Sequence, residues 1–329
     1  MYDLVSLGEV MLRMSPPRYE RLRRATKLDV QVAGSQLNVA ANLARLGWST
    51  AFISKLPDNP LGLLARDACL SYGVSMEYVN MVPGARMGVN YLEFTVEPRA
   101  GVVVYDRAGS AASTVEPNDF DWVNILKGTK LAYTDGIFPG LSESCAQTAM
   151  TYLQLARQQG CLTAFDVNYR YHLWTESRAK VVLSRLLPLV DVLVTNRFVS
   201  ENVFGFEGSD ATVMQHYADN FGCKLICLTT REMVSPMRGA WSSQALYDGE
   251  IIVGRRLEFD VVDRFGTGDA YMAGVLYGFV TSAGNVQHAL DFGNALCALA
   301  HTIEGDVAQV SVDEVEAVLS GGYNAQPRR

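Results

Sequence analysis

The chain has 329 residues, 49% of them hydrophobic and 19% charged, a balance that suits a soluble globular protein with a large core. Its formal net charge of −7 speaks against a general nucleic-acid surface, and six scattered cysteines with four unclustered histidines lack the short paired spacing of a zinc site. The opening MYDLVSLGEVML lacks a basic segment leading into an apolar core and cleavage site, and the late apolar stretch 270–284 is too short for a bilayer, so a cytoplasmic protein with no membrane partner is expected.

In chain order, brief apolar runs alternate with helical patterns. LVSL (4–7), TAFISK (50–55), LAYT (131–134), LTAFD (162–166), DVLVT (191–195) and LICLT (225–229) read as strands buried on both faces. SQLNVAANLARLG (35–47) has apolar residues at helical spacing and closes on Gly47, and 142–160 reads the same way. This alternation predicts an α/β fold, with a mainly parallel sheet, right-handed crossovers and helices on both faces.

Two stretches break the rhythm. Residues 13–32 are polar and basic, with Arg18, Arg21, Arg23, Arg24 and Lys27 forming either a solvated turn or a field that draws in an anionic substrate. Residues 86–106 alternate like antiparallel strands about a turn at 98–101. Both follow early strands, where an α/β sheet places its ligand crevice. They are therefore read as a small β lid, 13–32 and 86–106, on a core of 1–12, 33–85 and 107–329. Exposed lid strands can pair edge to edge between subunits, which permits a homodimer. The final NAQPRR reads as a frayed end.

Near the C-terminus, DRFGTGDAYMAG (263–274) places three small residues and an acid before an apolar, helix-like segment. Gly266, Thr267 and Gly268 let successive backbone N–H groups point into one concavity, and the following helix adds its positive end. A phosphoryl group in transfer would be stabilised there, while Asp269 could accept the proton of an attacking hydroxyl. The same residues also suit a tight turn whose aspartate caps a helix, and the stretch alone leaves both open. The GxxxxGK[ST] of a P-loop is missing, and Tyr271 stands where the third glycine of a dinucleotide GxGxxG would fall, which argues against a dehydrogenase.

DRFGTGDAYMAG resembles the DxxGxGDxFxxG signature of the ribokinase-like (PfkB) sugar kinases, and AGSQLNVAANLARLG (33–47) resembles that family's GGxxxNxAxxLxxLG. Within the family, GEVMLRMSPP (8–17), DVNYRYHLW (166–174), VDRFGTGDA (262–270) and AHTIEGD (300–306) are similar to 2-keto-3-deoxygluconate kinases. The resemblance implies a three-layer α/β sandwich with a mainly parallel central sheet and a small β lid. It implies ATP and Mg²⁺ as cofactors, a monovalent cation in many relatives, and a sugar acid as substrate.

By the same resemblance, Asp269 would be the general base, with Gly266, Thr267 and Gly268 as the anion hole and Asp263 shaping the loop and a nearby monovalent-cation site. Gly34 and Asn38 would face the sugar. Tyr105, Arg107 and Arg170 would recognise it, the guanidinium forks suiting a carboxylate, with Arg107 brought by the lid and Arg170 by the core. Arg13 would either grip the acid or pair with a carboxylate of the lid. Asn196 would lie near the phosphates, Thr229 near the phosphates or ribose, and Gly268, Asn294 and Ala298 along the ATP cleft near the ribose and adenine.

Three positions depart from the family pattern. Val199 stands where an acid associated with magnesium is expected, Asn90 where a substrate-contacting tyrosine is expected, and TREMVSPMRGAWSS replaces a glycine-rich phosphate-side segment. The expected activity is phosphorylation of 2-keto-3-deoxygluconate to its 6-phosphate. A fructose or nucleoside kinase of the same fold is one alternative. A catalytically weakened sugar- or nucleotide-binding protein, favoured by Val199, is another.

Overall fold

The strand-forming runs of the sequence collect into two sheets. The computed structural model describes residues 1–96, 98–235 and 237–321, so the end expected to fray, 324–329, lies outside the described residues. In chain order the strands are β1 (Leu4–Leu7), β2 (Met11–Ser15), β3 (Asp29–Ala33), β4 (Thr50–Pro57), β5 (Val74–Val82), β6 (Gly88–Glu93) and β7 (Val102–Asp106). They continue with β8 (Leu131–Asp135), β9 (Leu162–Asp166), β10 (Val192–Asn196), β11 (Leu225–Ser235), β12 (Arg238–Tyr247), β13 (Glu250–Val253) and β14 (Leu257–Asp260).

The large sheet runs β13-β12-β11-β10-β9-β8-β1-β4-β5, with β14 on the outer half of β12. From β11 to β5 every pairing is parallel, and β12 to β14 add an antiparallel flank. Its central strands bury alternate residues in two separate cores. Leu225 and Cys227 of β11 face one and Ile226 and Leu228 the other, as Val192 and Val194 do opposite Leu193 in β10. Helices therefore cover both faces, giving the three layers expected of a ribokinase-like fold.

The helices begin and end on ordinary local signals. Helix Glu143–Gln158 starts after Ser142, whose Oγ accepts from the Cys145 N–H at 3.1 Å. Helix Ser35–Arg45 is followed by Gly47, whose φ of +96° turns the chain into β4. Among the described residues no helix is long and apolar enough to cross a membrane.

The small sheet runs β3-β2-β6-β7. Its hairpins β2/β3 and β6/β7 are antiparallel, but β2 joins β6 in parallel, so the lid is mixed at its centre. Strands β2 and β3 sit at the two ends of the polar and basic stretch read from the sequence as part of the β lid, and Pro16 and Pro17 fall just after β2 ends.

What positions a site is the shared edge where the parallel strands stop. β8 and β9 end on Asp135 and Asp166, which pair in register, and Asn196 at the end of β10 pairs with Thr229. Helices Ser35–Arg45 and Thr267–Thr281 pack on each other above this edge. The crevice outside the carboxyl ends of parallel strands is where such sheets bind ligands.

Candidate active site

The turn at 266–269 serves the opening of a helix without an aspartate cap. Gly266 has φ +69°, and a Cβ there would lie 1.8 Å from the Asp306 carbonyl oxygen, so only glycine fits. Gly268 has nothing within 4 Å of where its Cβ would be, which keeps the mouth of the turn open. Helix Thr267–Thr281 has no side-chain cap. The Asp269 carboxylate instead accepts from Asn38 Nδ2 at 2.7 Å and from Ser35 Oγ at 2.6 Å. Asp263 organises the approach to the turn: Oδ1 accepts the N–H groups of Arg264 and Phe265, and Oδ2 that of Gly305.

Ser35 and Asn38 extend into a polar chain that the sequence did not single out. Asn168 Nδ2 donates to Ser35 Oγ at 2.8 Å and to Asp135 Oδ2 at 2.9 Å, while Asp135 Oδ1 accepts from Gln36 and from the Ile137 N–H. Asp166 accepts the Asn168 N–H at 2.9 Å. Burial pushes Asp269 up to about 6, with the Asp135 charge adding to it and the Ser35 and Asn38 hydrogen bonds opposing it. Burial, then the charges of Asp135 and Asp269, push Asp166 up to about 8. A carboxylate near 6 in a cleft is poised to accept a proton at neutral pH.

Two expected sugar contacts have other partners here. Asn38 is buried, its Oδ1 accepting from the Gly34 N–H and its Nδ2 engaged by Asp269, so its amide orients the acid. Gly34 is glycine because a Cβ would sit 2.2 Å from the Glu9 carbonyl oxygen, a close approach of backbone to backbone. Asn90 is buried in the lid sheet, in register between Arg13 and Tyr105.

The guanidinium groups divide by what neutralises them. Arg13 is 1% exposed and lies 3.1 Å from Asp263 and 2.9 Å from Asp306, carboxylates of the core and not of the lid. Arg107 donates through Nε, at 2.9 Å, and Nη2 to Glu9, which also accepts from Ser110, and it lies over the Tyr105 ring. Arg170 pairs with no carboxylate among the described residues and is exposed. It lines two cavities at once. One, of about 710 Å³ beneath the lid, also has Tyr105, Arg107 and His172 in its wall. The other, of about 760 Å³, holds Gly266, Thr267, Gly268, Asp269, Asp166, Asn196 and Thr229.

On the nucleotide side the expected residues separate. Asn196 and Thr229 line the larger cleft, Asn196 also capping the next turn through the Val199 N–H at 3.1 Å. Asn294 and Ala298 do not line it. Helix Val286–His301 turns them inward, where Asn294 accepts from Ser243 Oγ at 2.9 Å and donates to the Arg255 carbonyl. Val199 is buried in the apolar core, and Glu201 points to Arg197 at the surface. No group of three or more His, Cys, Asp or Glu able to hold a metal occurs among the described residues. A free monovalent cation also fits poorly beside Asp263, because the Arg13 charge already lies against both carboxylates.

Arg231 was missed. It lines the larger cleft and donates to Thr267 Oγ1 at 2.7 Å. The TRE segment carried the only signal for it.

The family model described as pfkB family carbohydrate kinase matches residues 1–311. A 2-dehydro-3-deoxygalactonokinase of Haloferax volcanii is 38% identical over 320 residues, covering 97% of each chain. A 2-dehydro-3-deoxygluconokinase of Thermoproteus tenax is 27% identical, over 97% of this chain and 94% of its own. The crystal structure of a 2-dehydro-3-deoxygluconokinase from Thermotoga maritima superposes with a TM-score of 0.92 at 34% identity, over 97% of this chain and 98% of that one.

Proposed function

Because the chain belongs to the pfkB family of carbohydrate kinases, we propose that it moves the γ-phosphoryl group of ATP to the 6-hydroxyl of 2-keto-3-deoxygluconate. What supports this most is the Asp269 carboxylate, held by Ser35 and Asn38 at the mouth of an open glycine turn and inside a cleft that shares Arg170 with the cavity under the lid. Names of the similar proteins point to the same substrate class, a 2-keto-3-deoxy sugar acid.

The acid lies beneath the lid in this scheme. Arg170, which makes no ion pair with a carboxylate among the described residues, binds the substrate carboxylate, and Tyr105 and the remaining Nη1 of Arg107 line the same space. The substrate hydroxyl points to Asp269, which takes its proton as the oxygen–phosphorus bond forms and the bond to ADP breaks. Backbone N–H groups of Gly266 to Gly268 and the positive end of helix Thr267–Thr281 meet the charge on the phosphoryl oxygens. Asn196 and Thr229 face the rest of the nucleotide. When bound on the ATP phosphates, Mg²⁺ would screen their charge, and Asp166, which lines the same cleft, would be available to hold it.

The Haloferax relative favours a second acceptor, the galactonate-derived C4 epimer. The test is ADP formation over a panel of both epimers, fructose, ribose and nucleosides. Turnover confined to neutral sugars or nucleosides contradicts the sugar-acid assignment. Ligand-induced thermal stabilisation without ADP formation points to a binding protein instead.

A further inference from the structure

Arg13, Arg107 and Arg197 each meet a carboxylate in the chain: Asp263 and Asp306, Glu9, and Glu201 with Asp210. Arg231 does not. No carboxylate among the described residues pairs with it, yet its position is fully specified. Nη2 donates to Thr267 Oγ1 at 2.7 Å and to His301 Nε2 at 3.1 Å, and the guanidinium carbon lies 5.7 Å above the Trp241 ring.

All three partners are neutral. His301 is buried, and its Nδ1–H donates to the Cys297 carbonyl oxygen at 2.8 Å, which leaves Nε2 as the acceptor for Arg231. Burial first of all, with Arg231 and Arg264 adding repulsion, holds His301 down at about 4, so the ring stays uncharged at neutral pH. Thr267 adds to its hold on Arg231 by donating to the Arg264 carbonyl at 3.2 Å. An organised cation fixed by neutral groups, in the wall of a cleft, is arranged for an anion that the chain does not supply.

The anion's place follows from the partner. Thr267 belongs to the turn that opens on Asp269, and both line the cleft with Arg231. We infer that Arg231 binds a phosphate of the triphosphate chain at the transfer end, a catalytic contact made by a side chain where sequence resemblance led one to expect glycine-rich backbone. Its charge meets the phosphoryl oxygens while Asp269 takes the hydroxyl proton, and no further covalent step is required. A guanidinium fork suits this task better than an ammonium because it can keep Thr267 and still present a second N–H pair to the phosphate.

This inference rests on the kinase assignment, so its test reads nucleotide binding apart from acceptor turnover. Calorimetric titration of the full chain with adenosine, ADP and a non-hydrolysable ATP analogue is compared for wild type, Arg231→Met and Arg231→Lys. The expected result is a loss of about tenfold or more in affinity for the triphosphate analogue in Arg231→Met. Adenosine affinity should stay within about twofold, and Arg231→Lys should recover part of the loss. Equal loss for adenosine and triphosphate assigns Arg231 a structural role and overturns the inference, as does unchanged triphosphate affinity. Wild-type protein that binds no nucleotide removes both this inference and the kinase assignment.

Discussion

Asn38 Nδ2 donates to Asp269 Oδ2 across 2.7 Å, joining two glycine motifs 231 residues apart in sequence. With Ser35 it is what holds the buried acid in one orientation above the strand ends. The bond also bears on acidity, since it favours the charged carboxylate against the cost of burial.

A pH profile should show both effects. With Asp269 held at about 6, kcat/KM should fall on the acid side of pH 6 as the base is protonated. Asn38→Ala removes a hydrogen bond that lowers this value, so its acid limb should move to higher pH, with a rate loss of about tenfold or more even on the plateau. An unmoved limb would separate Asn38 from the acid.

Stability of the ligand-free protein should decline above neutrality. Asp166, Asp306 and Asp269 are raised to about 8, 7 and 6, each mainly by burial, from an unfolded value of roughly 4. The folded chain thus binds the extra protons, and stability present at low pH is lost as pH rises through these values. His301, lowered to about 4 by burial, works the other way, its contribution being lost as pH falls from roughly 6.5 toward 4. Thermal midpoints should peak on the mildly acidic side and fall by pH 8.5, with a smaller fall in Asp166→Asn. Midpoints still rising from pH 7 to 9 would contradict this balance.

Monovalent cations should matter little. Arg13 places a covalently attached positive charge against Asp263 and Asp306, beside the glycine turn. Turnover in potassium, sodium or a bulky organic cation at equal ionic strength should agree within about twofold, the charge being built in. Arg13→Ala leaves the buried Asp263 without its counter-charge and should cost about 3–5 kcal/mol by chemical denaturation. Strong activation of the wild type by potassium would show that Arg13 does not fill that role.

Arg170 lies in the wall of both cavities and makes no ion pair with a carboxylate among the described residues, and the proposed mechanism gives it the substrate carboxylate. Arg170→Gln should raise KM for the sugar acid by about tenfold or more while leaving ATP binding near normal. Equal damage to both ligands would refute the assignment.

The central strands β1, β4, β8, β9, β10 and β11 were legible because strands covered on both faces are continuous apolar runs, as LICLT and DVLVT are, whereas β5 and the antiparallel flank β12 to β14 were not. The glycine turn was legible too, yet that stretch alone could not decide between an aspartate cap and an acid facing a phosphate pocket. That choice depends on Ser35 and Asn38, contacts made only after the chain has folded back. Asp135 and Asp166 were hidden for the same reason: each looks like an ordinary strand end until in-register pairing lines them up, with Asn168 bonded to Asp135 from the loop after β9. The stretch 13–32 was legible as part of a β lid, but the positions of β2 and β3 within it were not, because basic residues and two prolines mask a short alternation. Asn294 and Ala298 show the converse, positions carried over by resemblance that the packing of their helix turns away from the cleft.

The most direct test is Asp269→Asn assayed with ATP and the preferred sugar acid. The substitution keeps the shape of the side chain but not its capacity to take a proton. The account predicts turnover lower by at least about a hundredfold, with nucleotide and sugar-acid affinities close to wild type. A near-normal rate would mean that Asp269 is not the base and that the glycine turn serves some other end.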